Sequence, residues 1–316
     1  MNILLIGCGN IGALYDIDNA DIKTHAKALT YIKNISVSVY DEKILLSERT
    51  AKKYNYSLIY NREDINLAEF QWVIIASSTS SHFQWMKECF NKKVPLIICE
   101  KPLTLNIEEL EELEELYNNN ESKVLINYIR RFQPAFKFLK NYIETTVAQP
   151  TKIVVKYQRG FINNFSHAAD LLNYFWEFGQ FKNIKILDKV YDEFKEDPTI
   201  SFYGIYNEVP IIAIGLNHSK FSYFEMEIFY QKEMIHIFNS GDNISVKRAI
   251  GNQNFYPMLN EIVLEDANIL HNYMSQVYDY SNNVREFTEK DNFASAINTT
   301  KQLLSINNII NESISH

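Results

Sequence analysis

The stretch that decides the fold is MNILLIGCGNIGALY, residues 1–15. Asn2 to Ile6 is an almost wholly apolar run. It is followed at once by Gly7-Cys8-Gly9-Asn10-Ile11-Gly12 and then by residues able to continue a helix. A strand that feeds a helix through G-x-G-x-x-G is the dinucleotide-binding fingerprint. Gly7 permits the tight turn, Gly9 lets the backbone approach a pyrophosphate, and Gly12 lets the helix pack on the strand. The pyrophosphate then rests on the N–H groups at the positive end of that helix, beside Asn10 and Ile11.

Outward from that loop, Tyr15 to Thr24 (YDIDNADIKT) is polar and acidic, and His25 to Leu29 is again helical in character. Ile35 to Tyr40 alternates β-branched and small residues as a strand does, and it ends on Asp41. A carboxylate there hydrogen-bonds the adenosine ribose of NAD and repels the 2′-phosphate of NADP, so NAD(H) is expected over NADP(H). Asp41 lies beyond the usual spacing of about 20 residues from the last glycine. An insertion within Tyr15–Thr24 accounts for the excess.

Helical and buried-strand patterns then alternate. WVIIA at Trp72–Ala76 and LIIC at Leu96–Cys99 read as buried strands, and Val124–Tyr128 as a further one. Asn106 with Glu109 three residues on reads as a capping box. That helix carries the stripe Ile107, Leu110, Leu113 and Leu116, and its glutamates form a solvated face. The rhythm predicts a doubly wound parallel sheet over residues 1–127. After Pro134 the character changes: a helix, the strand Lys152–Arg159, a helix over Phe165–Phe178, then several strands joined by short turns up to Ala249. A closing amphipathic helix is expected over Asp291–Ser313. Residues 128–316 are therefore expected to form an α+β domain with a large, mainly antiparallel sheet. Its last helix is a candidate to pack back on the first domain.

With 316 residues the chain has room for two cores. A net charge of −8 and the lack of any basic run argue against a nucleic-acid surface. No apolar run has membrane-spanning length. Three cysteines without a C-x-x-C spacing fit a reducing compartment, and no metal site is expected. The N-terminus shows no signal-peptide pattern, and a cytoplasmic location is expected.

Open parallel sheets bind ligands at the carboxyl ends of their strands. The glycine loop, Asp41, the turn Ser77-Ser78-Thr79 and Glu100-Lys101-Pro102 all belong there by that rule. A lysine at the end of a buried strand points into the cleft, where its ammonium can donate to a substrate oxygen and stabilise developing charge. His167 is placed at the opening of a helix, where the dipole favours a neutral, proton-accepting imidazole. His25, His82, His218, His236 and His271 read by default as structural, and His316 as a disordered end.

Taken in order, GCGNIG, Asp41, IIASSTSSH, CEKPLTL, INYIRRFQP and His167-x-x-Asp170-Leu-Leu resemble the glucose–fructose oxidoreductase / inositol dehydrogenase / MocA family. The likeness extends over nearly the whole chain. It implies NAD(P)-dependent hydride transfer at a hydroxyl or keto carbon of a sugar, sugar nucleotide or polyol. Carried over by position, Lys101 is the catalytic lysine and His167 the proton-exchanging histidine. Ser77, Ser78, Thr79, His82 and Glu100 fall on the cofactor side, and Tyr128, Arg131 and Asn163 near the substrate. Many catalytic members carry aspartate where this chain has Asn163, and asparagine cannot take a proton. The family histidine three residues past the last glycine is matched by a displaced His25. Alternatives are a reductase of a non-sugar carbonyl or imine, and a cofactor-binding regulator without turnover. The family also implies a homodimer or homotetramer built through the second domain's sheet.

Overall fold

The computed structural model describes residues 1–145, 148–191, 194–217, 221, 223–251, 257–266, 269–284 and 292–312. The chain divides into two units: Met1–Phe132 with His271–Lys301, and Gln133–Leu270 with Gln302–His316.

The first unit is built on six parallel strands: β1 (Asn2–Ile6), β2 (Ser36–Tyr40), β3 (Ser57–Leu58), β4 (Trp72–Ile75), β5 (Leu96–Cys99) and β6 (Lys123–Ile126). Their order is β3-β2-β1-β4-β5-β6, the doubly wound arrangement. Helices α1 (His25–Leu29), α2 (Ile44–Tyr54), α3 (Thr79–Asn91) and α4 (Ile107–Asn118) connect them. β4 and β5 are buried at every residue, as β1 is after Asn2. Strands covered on both faces need continuous apolar runs rather than alternation, which is why WVII and LIIC read so plainly.

Three local expectations change. The helix after the glycine loop is a single five-residue turn, Asn10–Leu14, with wide i+5 geometry. The chain then folds over Asp16, whose fully buried carboxylate accepts from the N–H groups of Lys23 (2.6 Å) and Thr24 (2.8 Å) and from Thr24 Oγ1 (2.7 Å). Those three bonds close the Tyr15–Thr24 segment and start α1. At α4, Asn106 caps the Glu109 N–H at 3.0 Å as expected, but the reciprocal half belongs to Thr104. Its hydroxyl accepts from Asn106 N and donates to the Glu109 carboxylate. The α4 stripe is narrower than expected: Leu110 and Leu113 are fully buried, whereas Ile107 is exposed.

The outer edge of β6 meets an amide that mimics a strand. Asn292 Oδ1 accepts from Ile126 N and its Nδ2 donates to Ile126 O, each at 2.8 Å.

In the second unit, helix α5 (Pro134–Thr145) precedes β7 (Lys152–Tyr157), and α6 (Ser166–Phe175) precedes β8 (Phe181–Val190). There follow β9 (Thr199–Tyr206), β10 (Val209–Gly215), β11 (Phe224–Phe229), β12 (Glu233–Phe238), β13 (Asn243–Ile250) and β14 (Met258–Asp266). The eight strands run β14-β13-β12-β11-β7-β10-β9-β8. Every pairing is antiparallel except β7 with β10, so the sheet is mixed. Asn207 and Glu208 both have positive φ (48° and 67°), the two-residue turn that suits the twist of a β9–β10 hairpin.

Two helices close the chain, α7 (Ile269–Val284) and α8 (Phe293–Glu312). α7 was not evident in the sequence. Its Met274, Val277 and Tyr278 are buried in the core of the first unit, and Ile22 exchanges backbone bonds with His271 and Met274 at 2.9 and 3.1 Å. Among the described residues no helix is long and apolar enough to cross a membrane.

Candidate active site

The parallel ladder continues one residue past the strand ends. Gly7 N donates to Tyr40 O, Ala76 N to Ile6 O, Glu100 N to Ile75 O and Asn127 N to Cys99 O, all at 2.7–2.9 Å. The loops that follow are thereby brought to one edge of the sheet. Gly7, Gly9, Asp41, Ser77 and Ser78 line one cleft of about 340 Å³. Lys43, Leu46, Ser81 and Trp85, none of them expected from the sequence, also stand on its walls. Spacing offered a signal: Ser78, Ser81 and Trp85 are three and four residues apart, which places them on one face of a helix. Trp85 is held between Tyr40, edge-on at 6.0 Å, and the Arg62 guanidinium, 4.1 Å over its ring.

The three glycines do different work. Gly7 has φ +93°, and a Cβ there would lie 2.5 Å from the Ala76–Ser77 peptide. A Cβ on Gly12 would strike the Gly7 carbonyl oxygen at 2.1 Å, so the turn can sit on the strand only without a side chain. A Cβ on Gly9 would meet nothing within 4 Å. Gly9 is therefore not required by the protein's own packing, and the space beside it opens on the cleft. The first N–H groups of the turn, at Asn10 to Gly12, have no carbonyl within the turn to receive them. A dinucleotide pyrophosphate fits this cradle.

Asp41 is fixed by backbone. Its Oδ2 accepts from Cys8 N and its Oδ1 from Lys43 N, each at 2.7 Å, which leaves further lone pairs on each oxygen. Cys8 itself is inert, because burial pushes its thiol up to about 12.

Ser77 and Ser78 spend their hydroxyls locally, on Ser81 (2.7 Å) and Ser80 (3.1 Å), and Thr79 opens α3. His82 is buried, with Nδ1 2.9 Å from Pro102 O and Nε2 3.1 Å from Ser77 O, so it ties the turn after β4 to the turn after β5. Burial holds its pKa below the usual histidine value, against the pull of those two carbonyls and of the Glu100 charge.

Glu100, at the end of β5, is buried beside the half-buried Lys101. Its Oε1 lies 2.9 Å from His25 Nε2 and accepts from Asn127 Nδ2 at 2.6 Å. Burial raises its pKa, but the bond and charge of His25, the Asn127 amide and the Lys101 charge outweigh that and hold it below the usual carboxylate range. The displaced His25 is thus engaged at the site, not a bystander. Tyr128 is buried and Arg131 donates to Ser295 Oγ at 2.6 Å; neither lines the cleft.

In the second unit the expected helix opening at His167 is corrected. A five-residue turn, Phe161–Phe165, runs straight into α6, and the residue before α6 is already helical. The helical run starts at Phe161–Asn163, where Asp197 accepts from Ile162 N (2.8 Å) and Asn163 N (2.7 Å). His167 stands more than a turn inside, so the dipole argument made for it does not apply. Asn163 donates its amide to Arg159 O at 3.0 Å. Phe161 and Phe165 stack at 5.2 Å and pack edge-on against Phe202, which anchors the segment carrying both residues. His218 and His316 lie outside the described residues.

A family model described as an oxidoreductase family with an NAD-binding Rossmann fold matches residues 1–128. The myo-inositol 2-dehydrogenase of Thermotoga maritima is 30% identical over 156 residues, 48% of this chain and 43% of that protein. The chain thus spans less than half the length of the curated relatives it matches. A UDP-N-acetylglucosamine 3-dehydrogenase from Acidithiobacillus ferrooxidans superposes with a TM-score of 0.74 at 15% identity, over 97% of this chain and 95% of that one. An oxidoreductase from Agrobacterium radiobacter, solved with NAD+, L-tartaric acid and magnesium, gives 0.73 at 14% identity, over 96% and 94%. At these identities the two structures establish a shared fold.

Proposed function

Because the chain belongs, through its first 128 residues, to the glucose–fructose oxidoreductase / inositol dehydrogenase / MocA family, we propose that it is an NAD-dependent oxidoreductase of a sugar, sugar nucleotide or polyol. The observation that carries this reading is the cleft shared by Gly7, Gly9 and Asp41, on the same sheet edge as Lys101. A dinucleotide held by that cleft would supply the hydride acceptor or donor through its nicotinamide. Asp41 takes the adenosine ribose and disfavours a 2′-phosphate, which gives the preference for NAD over NADP.

The Lys101 ammonium donates to the reacting oxygen and steadies its charge as hydroxyl and carbonyl interconvert. His167 exchanges the proton that this oxygen loses or gains. Asn163 orients a substrate hydroxyl, and the acid–base work rests on Lys101 and His167. Ser77, Ser78 and Thr79 flank the nicotinamide, the buried His82 holds that segment in place through Ser77 O and Pro102 O, and Tyr128 and Arg131 support the substrate side.

The open face of the second unit's sheet carries Tyr203, Ile212, Ile214 and Leu264 at least partly exposed. A second copy covers it in this reading, giving a homodimer or homotetramer, and light scattering that found only monomer would remove that element.

The deciding experiment is a fluorescence titration with NADH and separately NADPH, followed by turnover with a panel of polyols, sugars and sugar nucleotides. Tighter NADH binding with turnover is expected. Tight binding without turnover across the panel, with Lys101 intact, would favour a cofactor-binding regulator, the reading to which Asn163 lends weight.

A further inference from the structure

Four side chains from separate stretches of the first unit form one buried chain ending at Glu100. Tyr278 of α7 places its hydroxyl 2.8 Å from His25 Nδ1, and the two rings meet edge-on, 78° apart. The opposite ring nitrogen, Nε2, faces Glu100 Oε1 at 2.9 Å, and Asn127 donates to the same oxygen at 2.6 Å. A carboxylate only accepts, so Nε2 carries the hydrogen of that bond.

The asymmetry at Glu100 matters. Oε1 receives both donors, while Oε2 receives none among the described residues, and what exposure the side chain retains is about 10%. A group kept only for packing is better replaced by an apolar one, because an ionised carboxylate is costly to bury. Here the carboxylate is clamped by one oxygen, and the next residue along the chain is Lys101. Other titratable groups within electrostatic reach of it are His82, Cys99, Tyr273 and Tyr278.

We propose that His25, backed by Tyr278, is a positioning residue: it fixes the Glu100 carboxylate at the end of β5, so that a held negative charge stands next in the chain to Lys101 and bears on its ammonium. The inference rests on the catalytic reading of Lys101. It also gives the Tyr15–Thr24 segment a purpose. The clamp of Asp16 on Lys23 and Thr24 ends one residue before His25, and Thr24 caps α1 by accepting from Lys27 N at 3.2 Å. The segment therefore sets where His25 enters the core.

The test compares His25→Gln, which keeps a donor toward Glu100, with His25→Leu, which does not, and adds Tyr278→Phe. Two readouts are taken on the full chain: the pH dependence of Lys101 acylation, followed by mass spectrometry, and kcat with the dissociation constant for NADH. In His25→Leu the Lys101 labelling midpoint is expected to fall by about one pH unit, because Glu100, held then by Asn127 alone, is less well fixed and takes up a proton more easily, which weakens its hold on the ammonium. kcat should drop about tenfold or more while NADH binding changes less than about twofold. His25→Gln should recover most of both effects, and Tyr278→Phe should show a smaller shift of the same sign. Equal behaviour of the Gln and Leu variants, or an unmoved Lys101 profile, would overturn the proposal. If the Leu variant does not fold, His25→Gln and Tyr278→Phe carry the comparison, and a Tyr278→Phe profile identical to the parent's counts against it. A parent protein that binds no NADH sinks the oxidoreductase reading, whereas the labelling profile still judges the network.

Discussion

Gly12 rests directly on Gly7: a β-carbon on the first would fall 2.1 Å from the carbonyl oxygen of the second. Backbone cannot yield there without opening the loop. Gly12→Ala is therefore expected to cost about 1–3 kcal/mol of stability and to abolish measurable NADH binding. Gly9→Ala separates the two effects, since its methyl group meets no protein atom within 4 Å. Its stability should stay within about 0.5 kcal/mol of the parent, while NADH binding falls because the methyl occupies pyrophosphate space. Urea unfolding paired with the NADH titration checks both. A Gly9→Ala variant that binds NADH as the parent does would show that the cofactor backbone does not approach that residue.

The same loop shows what local sequence can and cannot reveal. β1, the glycines and Asp41 were legible because each depends on a few neighbouring residues: a continuous apolar run, a fixed spacing, a polar end to an alternating strand. The shortness of the turn after Gly9 was not. It depends on Asp16 reaching Lys23 and Thr24, and side-chain bonds to backbone leave no periodic trace. His25 could be picked out as a displaced histidine, but its partners Glu100 and Tyr278 are 75 and 253 residues away. The dipole argument for His167 failed because the turn Phe161–Phe165 runs into α6, and the cap of that turn, Asp197 on Asn163 N, comes from 34 residues away. The parallel pairing of β7 with β10 was equally hidden, because alternation within a strand says nothing of its direction beside a partner. α7 escaped notice because ILHNYMSQVYDYSNNV is rich in Asn, Ser and Tyr, which are indifferent helix formers held there by burial of Met274, Val277 and Tyr278.

Asp16 offers a stability test remote from the cleft. Its carboxylate is fully buried and satisfies three donors. Asp16→Ala leaves Lys23 N, Thr24 N and Thr24 Oγ1 to find other acceptors, at a cost of about 2–4 kcal/mol, since each unmet buried donor costs about 1–3 kcal/mol and water recovers part. Asp16→Asn keeps one acceptor oxygen and should lose less than half as much. Denaturant midpoints measured for the two variants decide it. Equal, negligible losses would mean that the segment does not depend on this carboxylate.

Glu100 predicts the direction of acid sensitivity. Its pKa lies below the usual carboxylate range in the folded protein, because the bonds and charges of His25, Asn127 and Lys101 outweigh the effect of burial. The unfolded chain therefore takes up the proton first as pH falls. The contribution of Glu100 to stability is complete above the usual carboxylate range and disappears as pH drops through that range to the lowered folded value. Glu100→Gln should cost about 1–3 kcal/mol near pH 7, and the gap between parent and variant should narrow steadily toward about pH 3. Unfolding curves across that interval show the narrowing. A gap that widened on acidification would mean that Glu100 is protonated in the folded state.

The proposed preference for NAD makes Asp41 the residue on which cofactor choice is expected to turn. Each of its oxygens already holds one backbone donor at 2.7 Å, Cys8 N on Oδ2 and Lys43 N on Oδ1, so the carboxylate cannot swing away from the cleft it lines. A fixed anion there repels a ribose 2′-phosphate. Asp41→Asn removes the charge but keeps one acceptor oxygen for the loop. It is expected to lower the ratio of NADPH to NADH dissociation constants about tenfold or more, with Lys43 beside it able to meet the phosphate. Asp41→Ala should change the ratio similarly but weaken both cofactors, because Cys8 N and Lys43 N lose their acceptor and the loop between β1 and the glycine turn loosens. Salt should shrink the discrimination of the parent, since screening acts on the repulsion and hardly on the ribose hydrogen bonds. If the Asn variant kept the parent's ratio, the discrimination would lie in the shape of the cleft around Lys43, Leu46 and Trp85 and not in the charge of Asp41.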